Sequence, residues 1–118
     1  MTARDLHGII GRYNFNYSHE VALQEGIARV LTIEQMEFAR EVALTQRDRI
    51  DFMVGRLGIE VKVGHPLAQV MRQLHRYAQL EQVDELLLVT NRCRHAMVPE
   101  QINGKPVEVL FLGWGLLR

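Results

Sequence analysis

Hydrophobic positions recur along this chain with two periods, and the switch between them marks its elements. After Ser18, a good N-cap, the residues Leu23, Ile27, Val30 and Leu31 repeat at three and four, which predicts a helix of about 14 residues. Glu20 falls on the line of that stripe and is expected to point inward. Glu25, with Arg29 four residues on, is expected to face solvent. Residues 1–17 mix Gly8, Gly11, Asn14 and Asn16 with aromatics, show no period, and read as an irregular lead-in without an element.

From Phe38 to Leu44 an imperfect alternation predicts a strand, with Thr45 to Arg49 turning the chain. The stretch from Ile50 to Val63 then alternates strictly on both sides of Gly55-Arg56-Leu57-Gly58 and predicts a hairpin. Ile50, Phe52, Val54, Ile59, Val61 and Val63 are expected on one face, leaving Asp51, Met53, Glu60 and Lys62 on the other. Gly64-His65-Pro66 ends the strand, and Pro66 suits the first turn of a helix reaching about Gln82, with Leu67, Val70, Met71, Leu74 and Ala78 as its buried stripe. Asp84 to Thr90 is a continuous apolar run of the kind covered on both faces of a sheet. A polar stretch from Asn91 to Glu100 and an Asn103-Gly104 turn precede a last strand from Val107 to Leu112. The predicted class is α/β, in the order helix, three strands, helix, strand, strand.

At 118 residues, 47% hydrophobic and 24% charged, the chain is expected to form a single domain, 1–118. Fourteen basic residues balance fourteen acidic ones, so no global field draws it to nucleic acid or lipid, and any polyanion partner needs a local patch. The single Cys93 excludes an internal disulfide, and no Cys/His cluster has zinc spacing. No window approaches the roughly 18 apolar residues of a membrane span, and the start lacks a signal-peptide pattern, so the expected location is cytoplasmic.

The candidate chemistry lies on the hairpin. If the chain turns through Gly55 and Arg56 alone, positions summing to 111 pair and Asp51 faces Glu60, their Cβ atoms about 5 Å apart. A four-residue loop sets Asp51 against Lys62 and keeps all three on one face; a three-residue loop scatters them. Two facing carboxylates repel unless one is protonated or a cation sits between them. Oxygen ligands at this spacing suit a hard ion, Mg²⁺ or Mn²⁺, which commonly meets a substrate phosphate. Lys62 projects beside Glu60, where its ammonium can act on an attacking water and offset charge on the phosphate. Lys62 and Lys105 are the only lysines among fourteen basic residues, which makes Lys62 an unlikely choice for mere surface charge. Against this stands the ordinary reading, a solvated hairpin face carrying mixed charges.

Asp51 followed by Glu60-Val61-Lys62 on the next strand resembles the PD-(D/E)XK nuclease superfamily, with Arg49-Ile50-Asp51 in place of the Pro-Asp of the family's name. That resemblance implies a restriction-endonuclease-like core (helix, three-stranded meander, helix, strand) over about residues 18–90, here with an additional C-terminal strand. Holliday-junction resolvases and virus-type replication-repair nucleases of the family carry a glutamate on the first helix that completes the metal site, which Glu20 matches. RecB-type members carry Gln-x-x-x-Tyr on the second helix, and Gln73-Leu74-His75-Arg76-Tyr77 matches. The family implies that Gln73 holds Lys62 or the attacking water, that Tyr77 supports the site, and that hydrolysis leaves a 5′-phosphate.

The expected function is therefore a Mg²⁺- or Mn²⁺-dependent deoxyribonuclease, structure- or end-directed, working alone, as a homodimer or in a larger complex. Glu20, Asp51 and Glu60 are its expected metal ligands and Lys62, Gln73 and Tyr77 its further catalytic residues. Between Arg40 and Arg76 seven basic residues outnumber four acidic ones, and Arg47, Arg49, Arg56, Arg72 and Arg76 are the candidate phosphate contacts, with Arg92 and Arg94 extending the track. His19 and His65 are weaker candidates for the site. The rival reading is a non-catalytic module that keeps this fold to bind nucleic acid or protein.

Overall fold

A computed structural model describes residues 1–113; residues 114–118 of the expected domain lie outside them. Three helices, α1 (Ala3–Ile10), α2 (Glu20–Ile33) and α3 (Leu67–Ala78), pack on a six-stranded mixed sheet. Its strands are β1 (Ala39–Ala43), β2 (Arg49–Val54), β3 (Leu57–Lys62), β4 (Glu85–Thr90), β5 (Gln101–Ile102) and β6 (Lys105–Phe111), in the spatial order β1-β2-β3-β4-β6-β5. β1, β2 and β3 run antiparallel, whereas β3, β4 and β6 are parallel neighbours. The continuous apolar run is thus the central strand, buried from Leu86 to Thr90 as a doubly covered parallel strand must be.

Each face of the sheet closes its own core. On one, Ala3, Leu6 and Ile10 of α1 and Leu23, Ile27, Val30 and Leu31 of α2 cover Phe52, Ile59, Val61, Leu87 and Val89. On the other, Val70, Leu74, Tyr77 and Ala78 of α3 cover Ile50, Met53, Leu86, Leu88 and Val107. The predicted stripe of α2 is therefore its buried face. Gly58 on β3 leaves room for side chains of the flanking strands: a Cβ there would overlap Ile50 Cδ1 of β2 and press on Leu86 Cδ2 of β4 at 3.2 Å. Gly58→Ala should lower stability by about 1–3 kcal/mol through overpacking, read as a fall in the urea midpoint with an unchanged slope.

Several expectations need correction. The lead-in holds a helix, α1, whose start is set by a reciprocal capping box: Thr2 Oγ1 accepts from the Asp5 N–H at 3.1 Å and Asp5 Oδ2 accepts from the Thr2 N–H at 2.8 Å. The N-cap of α2 is His19, because the Ser18 hydroxyl is spent on Asn16 Oδ1 at 2.7 Å. Pro66 caps α3 rather than entering it, and that helix ends at Ala78 instead of Gln82. The polar stretch after β4 contains a 3₁₀ turn, Cys93–Met97, and the short strand β5, Gln101–Ile102, follows it before the Asn103-Gly104 turn. Ile50 does not share a face with Phe52, for it packs with the α3 core while Phe52 packs beneath α2. The cause lies on the neighbouring strand. Glu41, between the pairs Arg40↔Phe52 and Val42↔Ile50, adopts φ +51°, a left-handed conformation that breaks the alternation opposite Asp51. Asn103 and Gly104 both take positive φ, 52° and 74°, which fits the predicted turn.

Candidate active site

β2 and β3 pair as Val54↔Leu57, Met53↔Gly58 and Phe52↔Ile59, so the turn is the two-residue one and positions summing to 111 face each other. At the next position side chains replace the ladder. The Asp51 N–H donates to Glu60 Oε1 at 3.2 Å, and the Val61 N–H donates to Asp51 Oδ2 at 2.7 Å. The two carboxylates are thereby fixed against the backbone of the facing strand. Lys62 Nζ lies 3.2 Å from Glu60 Oε2, with both residues buried, at 7% and 2% exposure. Asp51, Glu60 and Lys62 converge as expected.

α3 closes the site from the far side. Gln73 Nε2 donates to the Tyr77 hydroxyl at 2.7 Å, and that hydroxyl lies 2.9 Å from the Arg49 carbonyl and 3.2 Å from Glu60 Oε2. Gln73 and Tyr77, four apart on one helical face, thus form a relay that ends on Glu60. With one proton on the hydroxyl, Tyr77 serves either the carbonyl or the carboxylate at a given moment.

Electrostatics follow from this burial. Glu60 is pushed up to about 8, first by loss of water and then by the Asp51 charge, with Lys62 pulling the other way. Asp51 is raised as well, again chiefly by burial, and less so because the Val61 N–H stabilises its anion. Burial and the Glu60 charge raise the Tyr77 hydroxyl, which keeps it a neutral donor. Two desolvated carboxylates with one ammonium, held against Glu60, form a site short of positive charge.

Glu20 faces inward as expected, yet it is engaged elsewhere. Its Oε1 accepts from the Val63 N–H at 2.9 Å and sits 2.8 Å from His65 Nε2, so it clasps the turn that follows β3. Among the described residues no group of three or more His, Cys, Asp or Glu side chains is gathered as a metal cage. One turn along α2, Gln24 Nε2 donates to Asp51 Oδ1 at 3.2 Å. Sequence reasoning passed over Gln24, although its spacing of four from Glu20 puts it on the same line of the helix. His65 proves to be the partner of Glu20, whereas His19 is an exposed N-cap.

The candidate phosphate contacts divide. Arg49 begins β2 and is exposed; Arg47 and Arg72 are exposed on the turn before β2 and on α3. Arg76 is bound to the buried Asp48 at 2.8 Å and ties α3 to the β1–β2 turn. Arg56 lies at the other end of the hairpin, paired with Asp84 at 2.8 Å and with the Glu81 carbonyl. Six steps of nearly extended chain, roughly 20 Å, separate it from Lys62, so a part for Arg56 beside the scissile phosphate is not what this placement supports.

Beyond Lys62, His65, Pro66, Leu67 and Met71 of the β3–α3 turn and helix start face Arg92 and Arg94 across a cavity of about 480 Å³. No helix of the described residues is long and apolar enough to cross a membrane. Comparison of the chain with protein-family models, with curated proteins and with solved structures finds no match.

Proposed function

We propose that this chain is a divalent-metal-dependent deoxyribonuclease of the PD-(D/E)XK kind. The observation that carries the reading is the meeting of Asp51, Glu60 and Lys62 at the splayed end of β2 and β3, with the Glu60 carboxylate 3.2 Å from the Lys62 ammonium. Further support comes from the arrangement around it: a helix, an antiparallel β1-β2-β3 unit, the crossing helix α3, and β4 parallel beside β3. That order resembles the restriction-endonuclease-like core.

The donor set fits a hard cation. Asp51 and Glu60 offer only oxygen, burial raises the proton affinity of both and the Asp51 charge raises that of Glu60 further, and Asp51 Oδ1, Asp51 Oδ2 and Glu60 Oε1 each keep a lone pair beyond the bond they make. Asp51 and Glu60 would hold Mg²⁺ or Mn²⁺, with waters and a phosphate oxygen completing its shell, and Glu20 is the candidate to join them from α2. The bound ion would supply charge neutralisation at the phosphate and a more acidic water.

The protein's own part can be derived from the contacts. Gln24 and the Val61 N–H fix the rotamer of Asp51, so a metal meets a preset oxygen. Tyr77 and Gln73 do the same for Glu60. Lys62 places one positive charge where the attacking water and the phosphate oxygens come together, lowering the cost of the charge that develops there.

The test is Mg²⁺-dependent cleavage of circular single-stranded DNA, a nicked duplex and a four-way junction, with EDTA controls. Cleavage of at least one, abolished by EDTA, is the expected result. The rival reading, a binding module without catalysis, is favoured by the engagement of Glu20 with Val63 and His65. It predicts gel shifts of these substrates and no products.

A further inference from the structure

The parallel strands β3, β4 and β6 all finish at the same edge of the sheet, the place where open α/β sheets commonly receive ligands. The cavity beyond Lys62 opens there. Its wall is apolar (Pro66, Leu67 and Met71), and its rim carries Arg92 and Arg94. Both arginines are exposed, and among the described residues neither is in a salt bridge, whereas Arg40, Arg56 and Arg76 are each bound to a carboxylate. A volume of about 480 Å³ is within the range of small-molecule clefts.

The rim is held in place. His95, fully buried, donates from Nε2 to the His65 carbonyl at 2.7 Å, which leaves Nδ1 to accept from the Thr90 hydroxyl. The Arg92 N–H in turn donates to Thr90 Oγ1 at 3.1 Å. The arginine-bearing loop is thus pinned to both the end of β4 and the β3–α3 turn. Arg92 Nη2 lies 3.9 Å from where a Cβ on Gly64 would stand, two residues past Lys62.

An apolar wall facing unpaired guanidinium groups matches an unstacked base and its phosphate. A base stacked in a duplex cannot enter such a recess without leaving its pair. We propose that the cavity is a subsite for one unpaired nucleotide of the DNA strand being cut, its base against Leu67 and Met71 and its phosphate on Arg92 and Arg94. This rests on the nuclease reading of Asp51, Glu60 and Lys62.

The test is binding of labelled oligothymidylate and of a labelled duplex of equal length, followed by fluorescence anisotropy in EDTA. The expected result is at least fivefold tighter binding of the single strand than of the duplex. The double variant Arg92→Ala/Arg94→Ala should bind the single strand at least tenfold more weakly, with the salt slope reduced by about 1.4. Equal affinity for both DNAs, no binding of either, or unchanged affinity of the double variant would each overturn the subsite. Mg²⁺-dependent cleavage by the unaltered protein decides the nuclease reading separately, so the two can fail independently.

Discussion

Lys62→Ala is expected to slow Mg²⁺-dependent cleavage by about 10²–10³-fold or more and to leave DNA affinity within a few-fold, measured as single-turnover rates beside gel shifts. The magnitude is that of removing one preorganised group from the place where charge develops. Its ammonium lies 3.2 Å from Glu60 Oε2 in a site 7% exposed at that residue, and among the described residues no other cation is paired with that carboxylate. Lys62→Arg separates charge from geometry. It keeps the positive charge but spreads it over a wider planar group that does not fit the same buried place, and it too should lose at least tenfold. Full activity in either variant would remove Lys62 from the chemistry.

The second large effect is on stability against pH in the metal-free protein. Glu60 has a folded pKa of about 8 against 4.5 for the free side chain, because burial and Asp51 oppose its charge. Above pH 4.5 the unfolded chain has released this proton while the folded protein still holds it. The folded state therefore binds more protons, and stability falls as pH rises from about 4.5 to about 8, then levels. The size is on the order of 5 kcal/mol from this group. Asp51, shifted in the same direction, adds to the decline. Glu60→Gln should flatten most of that slope in EDTA, read by urea unfolding at a series of pH values. In the unaltered protein, millimolar Mg²⁺ should restore stability at pH 8, since a cation bound to the folded state alone relieves the same repulsion. A variant with the full slope would show that Glu60 is not the destabilising group.

Much of this site was legible because one short feature fixed it. A turn through Gly55 and Arg56 settles the pairing of Val54, Met53 and Phe52 with β3, and one position further the Asp51 N–H meets Glu60 Oε1. The sequence pattern of Gln73 and Tyr77, four apart, likewise sufficed to place both on one face of α3. What strict alternation could not reveal was the break in it. Glu41 at φ +51° sends Ile50 to the opposite core, and no residue type in that stretch announces a left-handed backbone as a glycine would. α1 escaped notice because eight residues give too few turns to display a period, though Thr2 and Asp5 already had capping-box spacing. The Glu20–His65 contact joins residues 45 apart, and Gln24 reaches Asp51 across 27. Such pairings depend on how α2 lies over the sheet, which periodicity within one element does not carry.

In the proposed nuclease, two carboxylates from facing strands share one hard cation. Mn²⁺ binding, counted by the loss of free-ion electron paramagnetic resonance signal, tests it most directly, with circular dichroism verifying the fold of each sample. One ion per chain in the unaltered protein at millimolar Mn²⁺, and none in Asp51→Asn/Glu60→Gln, is the predicted result. Equal binding by the folded double variant, or no binding by the folded unaltered protein, would contradict it.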